Sequence, residues 1–225
     1  MMNFVYQLNN IKFTYGQEFV LHIPNLNIER GIILGITGPN GSGKTTLLKI
    51  LGFLLTSQQG DIKYFNQLVT HESLPKSRKK VTMLFQDTLL LERTVFENII
   101  YGLKIRNNTK NLEQRVNDAL KMVGLNHNEF LHRKNFQLSN GEAKRVALVS
   151  RTILQPEVLL LDEPLSNIDR VSGRLIIQAL QRMIAKKQMT IVITSHDATN
   201  LDKITKDIIE LKEGRLLEGL NNADL

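Results

Sequence analysis

The chain contains no cysteine, which excludes disulfides and thiolate metal sites and agrees with a reducing compartment. It has no apolar run long enough to cross a bilayer. Its first residues, Met1-Met2-Asn3-Phe4-Val5-Tyr6-Gln7, lack the basic-then-apolar order of a secretory signal. No internal repeat, low-complexity tract or linker breaks it up. These absences lead us to expect a cytoplasmic protein. Charge of one sign is in mild excess, with a formal net charge of +7, but the basic residues are scattered. The densest group, Lys76-Ser77-Arg78-Lys79-Lys80, reads as a solvated basic loop, and no nucleic-acid partner is expected. An anionic membrane face or a nucleotide polyanion tolerates such a charge equally well.

Of the 225 residues, 42% are apolar, enough for a proper core in one large domain, or one domain with a sizeable insertion. The stretch that organises it is Gly38-Pro39-Asn40-Gly41-Ser42-Gly43-Lys44-Thr45-Thr46. It follows the apolar run Ile32-Ile33-Leu34-Gly35-Ile36 and opens onto Leu47-Leu48-Lys49-Ile50-Leu51, so strand, glycine loop and helix succeed one another. That is the context a phosphate-binding loop requires. Glycines at 38, 41 and 43 let the backbone turn its N–H groups inward, where side chains would block a triphosphate. The helix that starts there adds unpaired N–H groups and a positive dipole end. Lys44 can reach the β- and γ-phosphates of ATP, and the Thr45 hydroxyl is placed to ligand Mg²⁺.

Along the chain, Phe4, Tyr6 and Leu8, then Ile11, Phe13 and Tyr15, alternate loosely and predict short antiparallel strands. Val20 to Ile23 and Leu26 to Ile28 predict an edge strand closed by the turn Glu29-Arg30-Gly31. Further strands are expected around Asp61–Phe65, Val81–Phe85, Val158–Leu161, Thr190–Thr194 and Ile208–Leu211. Between them, helices are expected from Thr94, across Leu112, Val116, Ala119, Leu120 and Val123, from Glu142 to Leu154, from Arg170 to Ala185, and around Thr199–Lys203. Strand–helix alternation gives an α/β fold with a parallel sheet. Residues 87–155 read as a helical insertion subdomain; 1–86 and 156–225 form the sheet core with an N-terminal antiparallel β subdomain.

The apolar strand ending in Asp162-Glu163 supplies what the loop lacks. Asp162 can hold Mg²⁺ through water, and Glu163, turned differently, can polarise an attacking water as general base. His196, at the end of the next strand, can donate to a γ-phosphate or to that water, although a histidine there also serves structure alone. Gln86, at another strand's carboxyl end, can bind Mg²⁺ or water. Tyr15 either stacks on a purine base or packs on its own sheet. Leu138-Ser139-Asn140-Gly141-Glu142 leads into Ala143-Lys144-Arg145-Val146, a helix start that offers a second anion-binding end. The Ser139 and Glu142 spacing is also that of a capping box, and the two readings are compatible.

Taken together, these residues resemble the ATP-binding cassette (ABC) ATPases of the phosphate-loop NTPase fold over nearly the whole chain. Tyr15 matches the family's aromatic loop, Gly38 to Thr46 its phosphate loop and Gln86 its glutamine loop. Leu138 to Glu142 matches its signature, Asp162-Glu163 its acidic pair, Ser166-Asn167-Ile168-Asp169 its dimer-spanning loop and His196 its switch histidine. The family signature usually reads Leu-Ser-Gly-Gly-Gln, and Asn140 and Glu142 depart from it. Because asparagine tolerates left-handed backbone, the resemblance still implies a working signature.

The resemblance implies an ATPase that uses ATP and Mg²⁺. Two subunits pair head to tail with ATP between one phosphate loop and the other's Ser139, Asn140, Gly141 and Glu142. It further implies a homodimer or a paired ATPase subunit, peripheral on the inner face of the cell membrane, docked to integral permease subunits on the helical insertion near Gln86, where Leu89, Leu90, Leu91, Val95 and Phe96 form either the groove or, for several of them, core packing, and indirectly served by a solute-binding protein. Arg93 to Leu103 and Glu142 to Arg151 look most similar to ATPases of tungstate- and molybdate-type oxyanion importers. The ending soon after Leu217 is expected to leave no room for a regulatory domain. Alternatives are the ATPase of an exporter or lipoprotein-release complex, or a soluble iron–sulfur assembly ATPase. DNA-repair members need a long coiled coil that the interval from Gln86 to Ser139 cannot hold, and no guanine-reading Asn/Thr-Lys-x-Asp element points to a GTPase.

Overall fold

The computed structural model describes residues 3–16, 18–87, 89–185 and 189–217. Its strands are β1 (Phe4–Tyr15), β2 (Glu18–Glu29), β3 (Ile33–Thr37), β4 (Gln59–Tyr64), β5 (Gln67–Leu68), β6 (Val81–Leu84), β7 (Val158–Leu161), β8 (Thr190–Ser195), β9 (Ile208–Lys212) and β10 (Arg215–Leu216). Its helices are α1 (Lys44–Leu51), α2 (Leu74–Arg78), α3 (Val95–Ile105), α4 (Leu112–Met122), α5 (His127–Phe130), α6 (Asn140–Thr152), α7 (Arg170–Ala185) and α8 (Ala198–Leu201).

The strands form one sheet in the order β5-β4-β1-β2-β10-β9-β3-β8-β7-β6. β9, β3, β8, β7 and β6 pair in parallel, while β1, β2, β4 and β5 pair antiparallel. The near-continuous apolar runs of the parallel strands follow from burial on both faces. Leu159, Leu161, Ile191 and Ile193 face a core built with α3, α4, α6 and α7. Val158, Leu160, Val192, Leu34 and Ile36 face the other core, with α1 and the antiparallel strands.

The N-terminal segment departs from the expected short strands and edge strand. β1 is a single strand of 12 residues, because a bulge carries it across its own change of parity. Tyr6 and Leu8 point inward, then Ile11 and Phe13 do. The step is absorbed at Asn10, which takes φ +49°, and pairing with β4 is irregular between Asn9 and Lys12. β2 makes the same step, from Leu21 and Ile23 to Leu26 and Ile28, across Pro24. β2 lies inside the sheet, between β1 and β10, and tolerates Pro24 because β10 reaches it only at His22. The basic group at 76–80 also differs from expectation. It lies on and just after α2, Arg78 Nε donates to the Phe53 carbonyl at 2.7 Å, and Lys80 pairs with Glu157 at 3.0 Å. Leu74-Pro75 at its start is a helix-opening signal that hydrophobic periodicity overlooked.

Candidate phosphate-loop site

α1 begins on Gly43 (φ +102°), with no side-chain cap and no acidic residue in its first turn. Its first N–H groups are therefore without protein acceptors and face the loop. The loop is held from behind by β9 and the turn that follows it. Gly38 (φ +146°) lies so close to the Leu211 carbonyl that a Cβ there would sit 2.0 Å from that oxygen. Gly214, in the β9–β10 turn, donates to the Ser42 carbonyl at 3.0 Å. Thus glycine at 38 is demanded by packing as well as by the backbone angle.

Lys44 is 6% exposed, and its ammonium donates to the carbonyls of Gly38 (2.8 Å) and Pro39 (3.0 Å). Burial lowers its pKa from the usual lysine value, against the pull of the Glu163 and Asp162 carboxylates. Asp162, at the end of β7, accepts from Thr45 Oγ1 at 2.8 Å through one oxygen and from Thr194 Oγ1 at 2.9 Å through the other. Glu163 takes φ +45°, a left-handed backbone that turns its side chain away from that of Asp162. Its N–H donates to Thr194 Oγ1 (3.0 Å), Oε2 meets His196 Nδ1 at 2.8 Å, and Oε1 lies 3.9 Å from Lys44 Nζ. Thr194 thus orients both acids. Sequence reading gave it no role, although its place two residues before His196, at a strand end beside Asp162, was a usable signal.

Asn40 to Thr46, Gln86 and Glu163 line a cleft of about 310 Å³. Gln86 is exposed in the bend that follows β6. The Ser42 hydroxyl is buried in the loop without a hydrogen-bond partner, as a donor awaiting an anion would be. Mg²⁺ fits the donors here: a hydroxyl and one carboxylate, both hard oxygens, beside a loop shaped for phosphate. Among the described residues no group of three or more His, Asp or Glu is placed to hold a metal ion.

Two predicted elements lie outside the lining of this cleft. Tyr15 is exposed at the end of β1 and packs edge-on against Phe13, ring centroids 4.9 Å apart. Ser139, Asn140, Gly141 and Glu142 open α6, with Ser139 and Asn140 on the surface. The capping box is formed: Glu142 N–H donates to Ser139 Oγ at 3.3 Å and Ser139 N–H to Glu142 Oε2 at 2.8 Å. Asn140 is the first residue of a right-handed helix, so its tolerance of left-handed angles is not what admits it. It is admitted because its side chain lies exposed on the surface. Gly141 is the confined position, since a Cβ there would lie 2.2 Å from Ser172 Oγ and 2.7 Å from Asp169 Oδ2. Sequence reading also missed Lys144, buried on α6, whose ammonium donates to the Ser166 carbonyl and, at 3.1 Å, to its hydroxyl. Burial lowers its pKa, opposed first by Glu163. Ser166 Oγ donates in turn to the Glu163 carbonyl at 2.9 Å, so α6 is tied to the segment that carries the acid.

The profile of the ABC transporter family matches residues 21–166. A tungstate uptake system ATP-binding protein of Peptoclostridium acidaminophilum is 36% identical over 212 residues, covering 94% of this chain and 96% of that one. An energy-coupling factor transporter ATP-binding protein of Leuconostoc mesenteroides is 34% identical over 206 residues, covering 88% and 75%. Among solved structures, a dimeric post-hydrolysis state of the ATP-binding cassette MJ0796, bound to ADP and Pi, superposes with a TM-score of 0.84 at 30% identity, covering 97% of this chain and all of that one. With the loop, the acidic pair and the capped signature helix in place, the chain belongs to the ABC transporter family, as an ATPase cassette.

Proposed function

We propose that this chain powers the import of a solute, an oxyanion of the tungstate or molybdate kind, as the ATPase subunit of a transporter with separate integral permeases. Two copies close head to tail. Each phosphate loop, with Lys44 and the Ser42 hydroxyl, receives the triphosphate, while the exposed Ser139 end of α6 in the partner subunit covers the γ-phosphate. Thr45 and Asp162 would hold Mg²⁺, which would supply positive charge to offset that of the phosphates. Glu163 is the general base for water, His196 holds that carboxylate in place, and Gln86 senses the γ-phosphate from the cleft wall. Residues 87–155 form the subdomain that meets the permease at the membrane's inner face, and Tyr15 supports the purine.

The observation that carries this reading is the Glu163 carboxylate. It is 7% exposed, within 2.8 Å of His196, and opens onto the same cleft as Lys44. Glu163→Gln keeps the shape and removes the base, and should lower kcat by about 10²–10⁴-fold. The variant should also accumulate as an ATP-bound dimer in size-exclusion chromatography. A persistent monomer with ATP would count against the shared site. The oxyanion assignment draws on the tungstate relative and on Arg93–Leu103 and Glu142–Arg151. Deleting the gene should cut cellular tungsten accumulation measured by mass spectrometry; unchanged accumulation would remove the oxyanion and leave the ATPase.

A further inference from the structure

Glu142 brings a negative charge to a helix end that, in the proposed assembly, must receive a phosphate. For the subunit alone this is favourable, since an acid in the first turn caps the helix and meets its dipole. For the closed site it is not, because the same carboxylate stands beside an incoming γ-phosphate and repels it. The structure holds a counter-charge. Arg133, in the segment after α5, places Nη1 3.9 Å from Glu142 Oε1, while its Nη2 bonds Glu129. Its guanidinium lies over the Phe130 ring, 4.3 Å from the centroid, and its backbone carbonyl accepts from Val95 N–H at 2.8 Å. Arg133 is therefore anchored against α5 and α3, with only 32% of its side chain exposed. A guanidinium fixed in this way loses little further freedom in facing Glu142.

We infer that Arg133 is a positioning residue for the signature. It draws one oxygen of Glu142 away from the phosphate side and offsets its charge, while the other oxygen keeps the Ser139 N–H. The Ser139 hydroxyl and the amides of Asn140 and Gly141, the first-turn donors that no side chain caps, then remain available to an anion. This inference rests on the reading of Ser139 as the ligand of a neighbouring copy's ATP. It explains how an acid is accommodated where the family usually has glutamine.

The test is a double-mutant cycle in the full-length chain, with ATPase kinetics measured at several salt concentrations. Arg133→Gln should raise the KM for ATP by up to about fivefold, the ceiling for a part-exposed ion pair, with a smaller change at high salt. In the Glu142→Gln background, which keeps the capping box but not the charge, the same substitution should leave KM unchanged. Arg133→Lys, which restores the charge, should recover most of the loss. An equal effect of Arg133→Gln in both backgrounds, or no effect in either, would overturn the inference and reduce Arg133 to packing. Ser139→Ala separates this from the underlying reading. If it leaves ATPase activity intact, the shared site itself fails; if it abolishes activity while the cycle shows no coupling, only the role of Arg133 fails.

Discussion

Gly141→Ala tests whether the signature helix is positioned by steric contact with α7. The added Cβ would fall 2.6 Å from Ser172 Cβ and 2.2 Å from its Oγ. The hydroxyl can rotate away, but the Cβ is fixed to the α7 backbone, and Ser172 N–H is held by Asp169 Oδ1 at 2.9 Å. The two elements must separate by nearly an ångström to restore a normal carbon–carbon contact. Overpacking of that kind costs about 1–3 kcal/mol. Alanine's better helix propensity returns about 1 kcal/mol at most. The net loss, up to about 2 kcal/mol, corresponds to a drop in Tm of at most roughly 4–8 °C for a chain of this size. The functional loss should be larger, because a displacement near 1 Å in a ligand-positioning element can cost about 10²-fold in rate. Asn140→Gly is the control. It restores the residue usual in the family at an exposed first-turn position, so stability should change by no more than about 0.5 kcal/mol and activity should persist. Differential scanning fluorimetry and a steady-state ATPase assay read both variants. A fully active Gly141→Ala, or an Asn140→Gly as impaired as Gly141→Ala, would refute the packing account.

Tyr6 is fully buried, donates to the Leu51 carbonyl at the end of α1 at 2.8 Å, and has its phenol pKa pushed well above the usual value by burial. Tyr6→Phe should cost about 1 kcal/mol, a fall in Tm of about 2–4 °C, with the KM for ATP unchanged. An unaltered Tm would show that the carbonyl finds another donor. Glu97 caps α3 by accepting from Thr94 N–H at 2.9 Å, and those hydrogen bonds hold its pKa below the usual carboxylate value. Between the folded and unfolded pKa values the unfolded chain binds the extra proton, so stability falls as pH drops through that window. Glu97→Gln should flatten this part of the acid limb in urea titrations at neutral and acid pH, and an unchanged slope would dismiss the contribution.

The parts of the fold that could be read from sequence are those in which one physical demand dominates. The runs at Val158–Leu161 and Thr190–Thr194 announce strands buried on both faces, and α6 announces its start through Ser139 and Glu142. Where two demands meet, reading failed. The parity change between Leu8 and Ile11 marks either a break between strands or a bulge within one; the unbroken register with β2 there excludes the break, and the shift against β4 shows the bulge. The paired strands β5 and β10 have two residues each, too short for any periodicity, and are defined by their neighbours alone. In the candidate site, the groups proposed to touch phosphate or water are marked in the sequence by type and spacing. The groups that hold them in place are not. Thr194 and Lys144 are an ordinary strand threonine and an ordinary helical lysine until the fold sets one against Asp162 and the other against Ser166.

The two helix ends assigned to anions differ in a way that bears on how the site works. α1 starts uncapped, with its lysine folded onto loop carbonyls and the Ser42 hydroxyl unpaired. Such an end has donors that only a ligand satisfies, so binding there gains from the start and is suited to capturing free nucleotide. α6 starts with a capping box of its own Ser139 and Glu142, which satisfies the Ser139 and Glu142 N–H groups and leaves those of Asn140 and Gly141 to an anion. An end of that kind gains less from a free anion, since the Glu142 carboxylate beside its free amides repels a phosphate. It is suited to meeting a phosphate that arrives fixed in another subunit, where the surrounding interface supplies the remaining free energy. In the proposed assembly, the order of events then follows from the two caps: nucleotide binds first at the bare end, and closure on the capped end comes second.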